Sequence, residues 1–100
     1  MSLTSMTLQD ATDETDARRI RFPMWNGTAV VMVTVSYLAL TERGSREGLP
    51  VDNLKMGELF DCLREDVETV AGQEYDLDHV DRSTANWVVN VPDERLNPTA

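Results

Sequence analysis

The chain has 100 residues, the size of one folded domain with one modest core. Eighteen acidic against nine basic residues leave a net charge of −9, which opposes binding to phosphate backbones, so nucleic acid is not an expected partner. The single cysteine, Cys62, excludes an intramolecular disulfide or a cysteine-based metal cluster and fits a reducing cytoplasm.

Residues 1–15 are polar and acidic, with Leu3, Met6 and Leu8 suited to packing, and read as a poorly ordered segment with a short strand considered at 6–9. No basic residue precedes Arg18 and no apolar run occurs there, which argues against a secretory or organellar leader. The stretch 22–40 is uncharged, but Pro23 and Asn26-Gly27 break it and it alternates with period two. It therefore reads as strand rather than membrane span.

Asn26-Gly27 separates two apolar-alternating runs, 18–25 and 28–35, and is the preferred loop of a two-residue type I′ hairpin. The implied register sets Trp25 against Thr28, Met24 against Ala29, Phe22 against Val31 and Ile20 against Val33, making one face of the ribbon wholly apolar. Pro23 has no N–H for a ladder, so the first strand should be at an edge near it, and the β-branched second strand is the central one. Ser36 is the expected N-cap of a short helix, 37–43, that stops at Gly44 and is followed by a connector.

Asp52 or Asn53 should cap a main helix over 54–73. Its stripe of Met56, Leu59, Phe60, Leu63, Val67, Val70 and Ala71 follows helical spacing, and the opposite face of Glu58, Asp61, Arg64, Glu65 and Glu68 reads as solvated charge. An acidic loop at 74–81 precedes a last strand at 85–91, with Trp87, Val89 and Val91 on one face and Pro92 as its stop; residues 93–100 read as a loose tail. The order implies an α+β two-layer sandwich with a small, mostly antiparallel sheet, its single domain spanning 16–92.

Asp16-Ala17-Arg18, Ile20-Arg21-Phe22, the Gly27 turn, Ser36, Ala39-Leu40, then Leu59-Phe60 with Arg64, Val67, Ala71 and Tyr75 resemble the bacterial domain-of-unknown-function family 1488. The likeness covers about residues 6–93, leaving the connector at 44–53 and the acidic loop unmatched. It implies a compact bacterial domain and no known reaction, so it transfers no catalytic residue.

Asp76, Asp78, His79 and Asp81 cluster three carboxylates with the only histidine, which makes them the metal-ligand candidates, although Val80 and Asp81 break the EF-hand pattern. A solvated acidic loop is the competing reading. Cys62 has Glu58, Glu65 and Asp66 as helical neighbours, which disfavour a thiolate, and it reads as a half-buried inert thiol. No G-x-S-x-G, S-x-x-K or G-x-G-x-x-G occurs, so neither a catalytic nucleophile nor a cofactor is expected.

The remaining feature is the hairpin's second face, carrying Arg19, Arg21, Pro23 and Trp25 opposite Val30, Met32 and Thr34. With helices on the other face, this one is too apolar to leave in water and wants a cover: a second copy, the N-terminal segment folded back, or a partner protein. Arginine beside tryptophan is typical of interfaces. The sequence therefore favours a non-catalytic, cytoplasmic protein-interaction module using Arg19, Arg21, Trp25, Val30 and Met32, over a metal- or ligand-binding protein or enzyme using the His79 loop.

Overall fold

A computed structural model describes residues 3–6, 11–83 and 85–98. The protein is α+β, with three helices and a five-stranded mixed sheet. The strands are β1 (Thr4–Ser5), β2 (Thr12–Glu14), β3 (Arg19–Trp25), β4 (Val30–Ser36) and β5 (Trp87–Asn90); the helices are α1 (Tyr37–Arg46), α2 (Met56–Asp76) and α3 (Asp93–Leu96).

β3 and β4 form the expected antiparallel hairpin in a register two residues away from the one read from the turn: Trp25 faces Val30, Met24 faces Val31, Phe22 faces Val33 and Ile20 faces Val35. The turn is the cause. Asn26 keeps φ negative and closes the loop instead, its N–H donating to the Ala29 carbonyl at 3.1 Å and its Oδ1 accepting from the N–H groups of Thr28 and Ala29 at 2.8 and 2.7 Å. Gly27, at φ 97°, becomes the first of two central residues, the position where a type II′ turn needs glycine. A shift of two preserves the faces because side chains alternate with period two. Ile20, Phe22, Met24, Val31, Val33 and Val35 all point into the core, while Ala29 lies in the turn.

α2 carries the chain from β4 to β5, which lies parallel to β4 with Val31 beside Trp87 and Val33 beside Val89. The core stripe of α2 is as expected: Leu59, Phe60, Leu63, Val67 and Ala71 are buried with Ala39 and Leu40 of α1 against the sheet, and Val70 and Met56 pack at its margin. The helix starts later than expected. Residues Val51–Asn53 form a 3₁₀ turn, and Glu58 reaches back to accept from the N–H of Lys55 at 2.9 Å.

α1 is capped as expected, Ser36 Oγ accepting from Ala39 N at 3.0 Å, but Gly44 does not end it. Gly44 is buried mid-helix, where an added Cβ would stand 2.7 Å from Leu59 Cδ1 and 2.8 Å from Val51 Cγ1, so its role is close packing. Gly48 makes the exit at φ 77°, with Gly48 N–H bonded to Ser45 O and Leu49 N–H to Gly44 O, a Schellman motif.

The described residues of both terminal stretches belong to the fold, in contrast to the disorder expected there. Leu3 is buried, and β1 and β2 both pair with the outer edge of β3. β1 pairs with Trp25 and Met24, and β2 with Arg21, Ile20 and Arg19. Of the strand considered at 6–9, Met6 is in no strand and the rest lies outside the described residues. Arg64 is no solvated cation: it lies 5.4 and 5.5 Å from the Phe22 and Phe60 ring centres, pairs with Glu68 at 3.2 Å and donates to the Met6 carbonyl at 3.4 Å. At the other end Leu96 is buried and Asn97 Nδ2 donates to Ala39 O at 3.0 Å.

The Tyr37 hydroxyl donates to Asp13 of β2, and this bond, with some desolvation and the carboxylate's charge, pushes the Tyr37 pKa up to about 12 from 10.0. Because the folded value is raised, the bond stabilises the fold fully below pH 10.0 and is lost as pH climbs toward about 12. Tyrosinate absorbance of the folded protein should show Tyr37 ionising late, and Asp13→Asn should return it toward its ordinary value. Equal titration of Tyr37 in both proteins would refute the bond.

Candidate functional site

Alternation along three paired strands builds the outer sheet face in rows. The register sets Pro23 beside Met32 and Met32 beside Val88, a continuous apolar row crossing β3, β4 and β5. On one side of it lie Trp25 and Val30, and on the other Arg21, Thr34 and Asn90. Arg19 and Ser36 form the last row, so the face grades from apolar at the turn end to charged at the other.

Trp25 is 39% exposed, whereas Pro23, Val30, Met32 and Val88 are half-buried. Thr34 is buried, its hydroxyl donating to Asn90 Oδ1. The interaction residues read from the sequence thus share one surface. Of the N-terminal segment, β1 and β2 extend the sheet sideways instead of lying over this face.

Two contributions were not legible. Glu14 of β2 faces Arg19 and pairs with it at 2.5 Å and with Arg21 at 3.9 Å, orienting both guanidinium groups across the sheet. These partly exposed pairs add little stability, of the order of 0–1 kcal/mol, so their effect is positional. The second is a wall beside β5. Asp81 exchanges two backbone hydrogen bonds with Val88, and Asp81, Ala85 and Asn86 border a groove of about 450 Å³ that Arg19 and Arg21 also line. The O–H and N–H of Ser83 bond the Asp81 carboxylate at 2.6 and 2.9 Å and hold its pKa below the usual range. The sequence signal for Val88 was present, since the strand's alternation puts it opposite Val89; Glu14 carried none.

The metal-ligand candidates are drawn into separate interactions. Asp76 is in the last turn of α2, and Asp78, at φ 65°, is the left-handed residue of a Schellman motif that ends α2 three residues later than expected. Asp78 pairs with Arg82 and Asp81 with Ser83, while His79 Nδ1 sits 3.2 Å from buried Glu74, whose other oxygen is 3.4 Å from Arg95. Among the described residues no three His, Cys, Asp or Glu side chains are grouped as a metal would need. Cys62 is exposed rather than half-buried.

No family model, curated protein or solved structure was found to match the chain. No helix among the described residues is long and apolar enough to cross a membrane.

Proposed function

We propose that the protein is a non-catalytic interaction module whose outer sheet face docks a second copy of the same chain. The observation that carries this is the Pro23–Met32–Val88 row, flanked by Trp25 and Val30 and rimmed by Arg19, Arg21, Glu14 and Asp81. An apolar centre with Met, Trp and a mixed-charge rim is the anatomy of an interface. Two copies each carrying −9 repel over most of their surface. Here the rim holds two cations and two anions, and a two-fold axis sets the arginines of one copy against the carboxylates of the other.

The seven residues of β3 and β4 at about 3.4 Å each, with the four-residue β5 beside them at a spacing of about 4.8 Å, make a patch of at most about 24 by 14 Å, smaller than a standard interface. The dimer is accordingly weak and concentration-dependent. Met32→Glu puts a charge in the middle of the apolar row and should weaken association at least about a hundredfold, since both copies carry it. Sedimentation velocity over a concentration series reads this, with circular dichroism to check the fold. A wild-type chain that stays monomeric at the highest concentration, or a folded Met32→Glu that associates as before, overturns the proposal.

Kinship with the bacterial domain-of-unknown-function family 1488 is part of the same proposal. It is supported by the use the fold makes of the matching residues: Gly27 forms the turn, Ser36 caps α1, Phe22 and Phe60 pack under Arg64, and Tyr75 Oη accepts from Asn26 at 3.1 Å. A cytoplasmic setting without nucleic acid or membrane partners also belongs to this reading, on the lone exposed thiol and the acidic charge.

A further inference from the structure

A cavity of about 510 Å³ opens at the turn end of the sheet, apart from the outer-face groove's arginines. Local sequence explains it: Ala29 and Ala85 are small where β4 and β5 begin, and α2 runs past Gly72 to bring Tyr75 to the turn. Its lining includes Val30, Val31, Tyr75 and Trp87 with the amides of Asn26 and Asn86, a mainly apolar surface with a few polar groups, in the size range of small-molecule sites.

Three features define what fits. Trp87 is 37% exposed, and its indole already holds a flat group, the Arg82 guanidinium, 4.5 Å from the ring centre. Tyr75 Oη accepts from Asn26 Nδ2 at 3.1 Å, which leaves the phenol O–H to donate to a ligand acceptor. No lining side chain is charged, α2 presents its carbonyl end here, and the Arg82 guanidinium on Trp87 is already paired with Asp78, so a negative ligand meets an unfavourable dipole and a cation whose charge is taken.

We propose that this cavity binds a small, flat aromatic ring that bears one hydrogen-bond acceptor and no negative charge. The ring stacks on Trp87 at the turn end of β4, and its acceptor takes the Tyr75 O–H.

Benzamide, benzamidine and benzoate share size and shape and differ in charge, which makes them the probes. In proton–nitrogen spectra the two indole N–H signals separate this site from the outer face, Trp87 reporting the cavity and Trp25 the other surface. Benzamide should move the Trp87 indole and the amides of Thr28 and Ala29 saturably, with Kd of about 1 mM for a ligand this small, and benzamidine, whose amidinium offers no acceptor to the Tyr75 O–H, should do so about fivefold more weakly. Benzoate should bind at least about tenfold more weakly. Tyr75→Phe keeps the ring and removes the O–H, and should weaken benzamide about fivefold while leaving benzamidine, which lacks a carbonyl, nearly unchanged. Benzoate binding as well as benzamide, movement at Trp25 instead of Trp87, or no saturation by any ring up to about 10 mM overturns the proposal.

Discussion

Phe60→Ala should lower the stability of the domain by about 3–5 kcal/mol, a large part of the 5–15 kcal/mol that an ordinary domain has in total. Phe60 is fully buried, its ring 4.9 Å from that of Phe22 at a tilt of 49°, in the range where aromatic pairs add to simple burial. The deletion leaves a cavity where helix and sheet meet. It also removes half the platform on which Arg64 rests, and Arg64 ties the N-terminal segment down through the Met6 carbonyl and Glu68, which also accepts from Ser5 Oγ at 2.7 Å. Urea denaturation should show a lower midpoint. Hydrogen exchange at residues 3–6 should accelerate more than at β4, because β1 loses its anchor while the central ladder stays. Arg64→Met, which keeps the stem's packing and deletes the charge, should cost less than Phe60→Ala and free the same segment. If Phe60→Ala cost under about 1 kcal/mol, the aromatic pair would not be the centre of the core.

Period-two and period-3.6 patterns report which side chains share a face: Ile20, Phe22, Met24, Val31 and Val33 and the stripe of α2 lie inward as read, whereas Ala29 falls in the turn and Arg64 leaves the solvated face. Patterns do not report where an element stops. Gly44 and Gly48 look alike in sequence, yet one packs against Leu59 and the other turns the chain, a difference set by a contact with residues 7 and 15 positions downstream. The hairpin register failed for a local reason of the same kind. Asn26 can supply a turn through its own backbone or through its side chain, and the second won because Gly27 alone satisfies a type II′ loop. The outer face was legible for Arg19, Arg21, Trp25, Val30 and Met32 because they alternate on two consecutive strands. Glu14 and the Asp81 wall arrive through non-local pairings, which local periodicity does not encode. The acidic loop was misjudged in extent for a related reason: Gly72 looked like a helix stop, but the stop is Asp78 in the left-handed region.

The ends of the chain supply the second large effect. Leu96→Ala should destabilise the protein by about 2–5 kcal/mol, where the same change in a loose tail would cost nothing measurable. Leu96 is 1% exposed and joins the core from α3, a helix of four residues. A helix that short has no stability of its own, so tertiary bonds hold it. Ser36 Oγ donates to Asp93 Oδ1 at 2.8 Å, Arg43 donates to the Leu96 carbonyl at 3.2 Å, and Asn97 Nδ2 reaches the Ala39 carbonyl at 3.0 Å. All three partners are on α1 or at its cap, so α3 is tied along α1 from the cap to the last turn. Leu38→Ala is the internal control: Leu38 is on α1 as well but 69% exposed, and its loss should stay within about 0.5 kcal/mol. Thermal and urea unfolding of both variants decide the matter. Equal, small effects at 96 and 38 would mean that the C-terminal segment adds nothing to the fold. A large effect confined to 96 extends the domain past Pro92, because the buried side of α1 then depends on residues that hydropathy alone assigns to solvent.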